Sequence, residues 1–292
     1  MKFNRSDSSF VESALIASGL GLWSNPPVKD QPVVIRGKVR LKDFDSAFCG
    51  GLDKDDTKAK TLELVKHIGE LQELLYANGR HAVLLVFQGM DASGKDGAAK
   101  CVLQEVDPIG VEATSFKVPS AEERAHDFLW RVHKAVPRYG NIGVFNRSHY
   151  EAVLVERVIG LVSRDVWKAR FQQIVQFERM LVANGVVLLK FFLHVGKEEQ
   201  RERLRERISN PRKNWKFNAS DLETRRRWDD YMRAYEDVLN ETSHTDARWH
   251  LIPADRNWFR NYLVARVVVD AMKKLKLKWP KPAEDLSKFR IV

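Results

Sequence analysis

Cysteine is nearly missing from this sequence: there are two in 292 residues, Cys49 and Cys101, far apart and with no CxxC pair. A disulfide framework is thereby excluded, and a reducing, cytoplasmic compartment is the simple expectation. Long apolar runs are missing as well. The longest, VVLLKFF from Val186 to Phe192, is interrupted by Lys190 and falls well short of the ~20 residues of a membrane span. The opening stretch MKFNRSDSSFVESALIASGLGLWSN has no basic segment leading into a sustained apolar core, so no secretory leader is expected. Internal repeats and low-complexity segments are absent. His126, His133 and His149 are too scattered for a metal cluster and read as hydrogen-bonded structural histidines.

What is present is a normal core and an excess of positive charge. Hydrophobic residues make up 44% and charged residues 30%, which suits a globular chain of one large α/β domain or two small ones. Lysine and arginine number 49 against 39 acids, a net charge of +10. Such a balance favours an anionic partner, whether nucleic acid, a membrane surface or a polyanionic substrate.

Residues 1–58 are weakly periodic and read as an extension wrapped on a core that begins at residue 59. TLELVKHIGELQELLYANG then has the three-to-four spacing of an amphipathic helix ending at Gly79. Apolar runs at His81–Gln88, Ala113–Val118, Asn141–Asn146, Val186–Val195 and Arg248–Ala254 predict five strands. Helical segments are predicted between them: residues 94–106, 121–136, one starting near Ser148, 166–183, 197–209, 221–240 and 258–275. This alternation predicts a three-layer α/β/α fold around a mainly parallel five-stranded sheet, with ligands at the carboxyl ends of the strands.

The chemistry concentrates in GMDASGKDG, Gly89 to Gly97. A glycine loop between a strand and a helix turns a row of backbone N–H groups toward one concavity, where the helix dipole and Lys95 favour phosphate. Gly89, Ala92, Ser93, Gly94, Lys95, Asp96 and Gly97 are therefore candidate phosphate-binding residues, the glycines allowing close approach of the backbone. Asp91 lies inside the loop, and Asp96 replaces the usual Ser or Thr. A bare carboxylate repels phosphate, so Asp91 is expected to hold a divalent cation, Mg²⁺ or else Mn²⁺; Asp96 is either a second metal ligand or a helix cap.

Two further stretches join it. VFNRSHYE, Val144 to Glu151, ends a strand with Asn146 and Arg147, an amide and a guanidinium suited to phosphate. QRERLRERISNPRKNWKF is strongly basic and breaks at Asn210-Pro211. That break makes Arg207, Arg212, Lys213 and Lys216 candidates for a helical lid over residues 200–232 that closes on transferred phosphates. Arg201, Arg205 and Arg225–Arg227 read as a solvated face, while Trp215, Trp228 and Tyr231 are expected to pack the hinge. Lys117 and Arg131 are candidate phosphate contacts beside the site, where Glu123, Arg124 and Asp127 would line an acceptor pocket.

Together, GMDASGKDG, FNRSHYE and NPRKNWKF resemble the second polyphosphate kinase family, over residues 59–280. The resemblance implies a P-loop kinase fold similar to thymidylate kinase, Mg²⁺ dependence, a linear inorganic polyphosphate donor, adenine or guanine nucleotide acceptors, and homodimers or homotetramers. It also implies essential roles for Asp91, Lys95, Arg147 and Arg212. Many members have Asp-Arg-Ser-Trp-Tyr-Asn where this chain has Asn146 to Glu151, a variant similar to the subgroup acting on both AMP and ADP. Asn146, Arg147 and Glu151 become candidate nucleotide-binding residues on that basis. An ATP-dependent nucleotide or nucleoside kinase and a basic nucleic-acid-binding protein are the rival readings. The second would need a platform of aromatics interleaved with cations, and none is visible.

Overall fold

A computed structural model describes residues 30–291. Of the extension expected over residues 1–58, residues 1–29 lie outside the described residues. Its remainder enters the sheet: β1 (Val33–Val34) pairs antiparallel with the last strand, Val33 opposite Leu251. Helix α1 (Lys54–Asn78) begins where the Asp53 carboxylate accepts the N–H groups of Asp55 and Asp56, and ends at Gly79 with φ 58°. The helix therefore starts at Lys54, five positions before residue 59, where the helical pattern begins to show in the sequence.

Strand β2 (Ala82–Gln88) follows and is buried along its whole length, as a central parallel strand should be. After it come α2 (Lys95–Val102), β3 (Val111–Ser115), α3 (Ala121–Arg124), α4 (Trp130–Lys134) and β4 (Ile142–Asn146). The chain continues through α5 (Val155–Val158), α6 (Arg164–Ala183), β5 (Val186–His194), α7 (Lys197–Ser209), α8 (Ser220–Arg226) and α9 (Trp228–Thr242). Strand β6 (Trp249–Pro253) and helix α10 (Asn257–Lys274) complete the core.

The sheet runs β1-β6-β5-β2-β4-β3. The five expected strands pair in parallel, and β1 makes a sixth, which the two-residue length of its strand concealed in the sequence. Helices α1, α2 and α10 pack together as one layer, and α5, α6 and α9 as the other. From central β2 the chain winds to one side for β3 and β4, then crosses to the other for β5 and β6. The crevice above the carboxyl end of β2 is therefore the topological switch point.

Four local expectations need correction. Strand β3 lies at 111–115 and not 113–118, because its limits follow pairing with β4 from Val111↔Ile142 to Ser115↔Asn146, not apolarity. The helix expected over 121–136 is split into α3 and α4: a capping box of Ser120 and Glu123 starts the first, and Asp127 caps a fresh turn through the Leu129 N–H. The helix expected near Ser148 is a 3-10 turn, His149–Ala152, before α5, and the one over 221–240 is interrupted at Arg227 between α8 and α9. No helix among the described residues is long and apolar enough to cross a membrane.

Candidate active site

The loop from Gly89 to Gly94 joins β2 to α2 at the switch point. Ala92 sits at φ 61° and Arg147 at φ 62°, left-handed values unusual for residues with side chains. Both lie at the site, where strain is commonly held by surrounding contacts. For Arg147 the contact is its own N–H, which donates to the Phe87 carbonyl at 3.2 Å. Neighbouring ends of β2 and β4, Phe87 opposite Asn146, thus bring the glycine loop and the Asn146–Glu151 segment together.

The side chains interlock. Arg147 donates to Asp91 at 2.7 Å and lies 3.9 Å from Glu151. Burial opposes its charge, but Glu151 and Asp91 more than offset that and hold its pKa above the ordinary arginine value. Asn146 donates to the Asp96 carboxylate. The Gln88 amide, with its nitrogen donating to Glu151 at 3.1 Å, accepts from the Ser148 N–H. Burial raises the Glu151 pKa, against the pull of Arg147 and Lys95.

Lys95 is 8% exposed and donates to the carbonyls of Gly89 (2.7 Å) and Met90 (3.1 Å). Burial lowers its pKa while Asp91 works the other way. The Ser93 hydroxyl oxygen is buried with no protein partner, an orphan polar atom within the loop.

Gly94, at φ 94°, and Gly97 need their missing side chains for a reason other than phosphate approach. A Cβ at Gly94 would lie 1.9 Å from Arg260 Nη1, and one at Gly97 would lie 3.0 Å from Nη2. Arg260 is 3% exposed on the first turn of α10. A second arginine, Arg203, donates to the Ala92 carbonyl at 2.9 Å and to the carbonyls of Ala254 and Asp255. Gln200 adds a bond to the Asp91 carbonyl at 3.0 Å. Sequence reading missed Arg203, Gln200 and Arg260; for Arg203 and Gln200, the four-residue spacing to Glu199 and Leu204 on the inner face of α7 was the available signal.

The lid candidates divide. Arg207 is bonded at 2.9 Å to Asp221, a 5% exposed carboxylate whose pKa is raised by burial and by Asp91. Sequence reading had left Asp221 unassigned. Lys213 pairs with Glu206 at 2.5 Å, Lys216 lies over the Trp215 ring, and Arg212 is exposed. Trp215 does not pack the hinge: it is 78% exposed, whereas Trp228 and Tyr231 are buried as expected. Arg225, expected to be solvated, instead holds the Lys197 carbonyl and Gln200.

Arg131 donates to the Lys117 carbonyl at 2.9 Å and to Glu123 at 3.3 Å, so that Lys117, which lies beyond β3 and is exposed, joins this cluster through its backbone. Glu123, Arg124 and Arg131 line a recess of about 150 Å³ with Ser148 and His149, next to the Arg147 segment. Of the three scattered histidines, only His149 is buried and bonded to a carboxylate, Glu178; His126 stacks on Trp130 and His133 meets Phe177 edge-on.

A glycine loop at the switch point, a lysine at the following helix and a basic helical segment across the crevice define a kinase-type phosphotransferase of the P-loop class. The family described as Polyphosphate kinase 2 (PPK2) matches residues 51–280, and the chain belongs to it. It is 50% identical over 250 residues to the AMP/ADP-polyphosphate phosphotransferase of Meiothermus ruber, covering 84% of this chain and 93% of that one. It is 47% identical over 228 residues to the ADP-polyphosphate phosphotransferase of Rhodopseudomonas palustris, covering 74% and 79%. Among solved structures, Polyphosphate Kinase 2 from Arthrobacter aurescens TC1 superimposes with a TM-score of 0.85 at 37% identity, covering 91% of this chain and 95% of that chain.

Proposed function

We propose that the protein moves the terminal phosphate of inorganic polyphosphate to AMP or ADP, forming ADP or ATP. GMP and GDP are the further acceptors to test. The observation that carries this reading is the Asp91–Arg147 pair, which sets a carboxylate and a guanidinium side by side at the mouth of a phosphate loop. The names of the relatives agree with it.

Asp91 and Asp96 would hold Mg²⁺. Among the described residues no three His, Cys, Asp or Glu side chains converge as a ready-made metal cage. Mg²⁺ takes one or two carboxylates with substrate phosphate oxygens, so two loop acids fit the ion. Bound there, it supplies charge neutralisation to the phosphoryl group being transferred. The chain's own residues do the remaining work. The loop N–H groups and Lys95 bind the donor phosphates; Arg147 and Arg212 meet charge that grows on the moving phosphoryl; Glu151 and Asn146 orient the acceptor.

Transfer is direct and in line. His149, a candidate phosphoryl carrier beside the site, is 3% exposed and turned to Glu178. A cytoplasmic setting, consistent with two free cysteines, and a homodimer or homotetramer belong to the same reading.

The test is purified protein with polyphosphate and Mg²⁺, offered AMP, ADP, GMP and GDP separately, with nucleotide products separated by chromatography. ADP and ATP should form from the adenine acceptors. Products that form only when ATP is the donor would replace this reading with an ordinary nucleotide kinase.

A further inference from the structure

Among the described residues, Arg260 has no carboxylate partner. Its three hydrogen bonds go to neutral amides: Asn257 at 2.6 Å, and Asn261 at 2.8 and 3.2 Å. Buried cations are ordinarily matched by a carboxylate. Around it the nearest full charge is a second cation, Arg203. The guanidinium lies against Gly94, at the positive end of the α2 dipole, and it sits in the first turn of α10, at the positive end of a second helix. Burial and the adjacent Arg203 push its pKa down to about 10. A fold that only needed to fill this space would do better with methionine.

The negative charge that this arrangement lacks belongs on the other face of the loop. We propose that Arg260 is a positioning residue for the donor: its charge acts through the Gly94–Gly97 backbone to favour a phosphate chain in the loop, and the chain in turn neutralises it. Arg203, which grips the Ala92 carbonyl, fixes the loop so that this through-backbone attraction is felt at one place. The inference rests on the donor reading above. It adds to that reading a cation which does not touch the substrate, and it makes loop order and phosphate binding a single event.

The experiment compares the unmodified protein with Arg260→Met and Arg260→Lys. Two quantities are read: the rise in Tm produced by inorganic triphosphate, and steady-state kinetics with polyphosphate and ADP varied separately. Arg260→Met should lose most of the triphosphate-induced Tm rise and increase KM for polyphosphate about tenfold, with KM for ADP unchanged. Arg260→Lys, which keeps the charge and loses the planar fork, should recover most of both. If the Met variant does not fold, Arg260→Gln replaces it with the same expectation. A full triphosphate shift in the neutral variant, or a Lys variant as impaired as the neutral one, overturns the inference and leaves Arg260 a structural post. The unmodified protein separates the two levels: no triphosphate shift there, together with no turnover of polyphosphate, overturns the donor reading and this inference with it.

Discussion

Asp91 is the residue proposed to hold the metal, and its neighbours sharpen what its replacement should do. Asp91→Asn removes a loop acid and also releases Arg147 from its 2.7 Å partner. The expected outcome is a fall in kcat of about 100-fold or more with an altered Mg²⁺ dependence, checked by metal titration of the rate, while circular dichroism stays unchanged. Gly94→Ala tests backbone and space at once. The position has φ 94° and an arginine where a methyl would go, so urea unfolding should show a loss of roughly 1–3 kcal/mol. Part of this scale was legible beforehand: the loop and its two acids are adjacent in the chain, and Arg147 stands in a short motif of its own at the end of a readable strand. Arg203, Arg260 and Asp221 were not, since each gains its meaning from a residue more than a hundred positions away.

Elements show the same division. Helix α7 falls on the predicted residues 197–209, because a Gly196 start and an Asn-Pro stop are written locally. Lys190 looked like a flaw in an apolar strand, yet it is fully buried and is the centre of the layer behind the site. Its ammonium donates to Glu178 at 2.6 Å, the Thr242 carbonyl at 2.7 Å and the Tyr150 hydroxyl at 3.1 Å. His149 and His244 meet the same carboxylate, so β5, α6, α9 and the segment after Arg147 are tied at one point. Glu178→Gln should cost about 3–5 kcal/mol in urea unfolding, because it leaves a buried ammonium without its counter-charge.

The acid response of this layer has a definite sign. Burial raises the Glu178 carboxyl, but Lys190 with the two histidines outweighs it and holds the group well below its ordinary 4.5. Its stabilisation is complete above that pH and fades as pH falls further. Burial also pushes His250 down to about 4 from 6.5, so stability is lost across that interval too, where only the unfolded chain takes up the proton. Stability measured from pH 7 to 3 should fall in both windows, and Glu178→Gln should flatten the lower one. In the segment proposed as a lid, Arg212→Ala should lower kcat by about 100-fold with nucleotide KM little changed; unaltered kinetics would remove it from the transfer step.

At the scale of the whole molecule, the net charge of +10 addresses a substrate that is itself a string of negative charges. Exposed attraction of this kind is screened by salt, so KM for polyphosphate should climb steadily between 0.05 and 0.5 M KCl, while KM for the nucleotide changes less. Steady-state kinetics at several ionic strengths checks it. The arrangement of the first described residues carries a further consequence. Val33 meets Leu251, the Val39 N–H meets Asn240 and the Leu41 N–H meets Glu236, partners about two hundred residues downstream. A ribosome delivers these early apolar residues long before anything exists for them to rest on. The edge of the sheet therefore cannot close until β6 has been made, and before then the nascent chain shows Val33 and Ile35 to the chaperones around it.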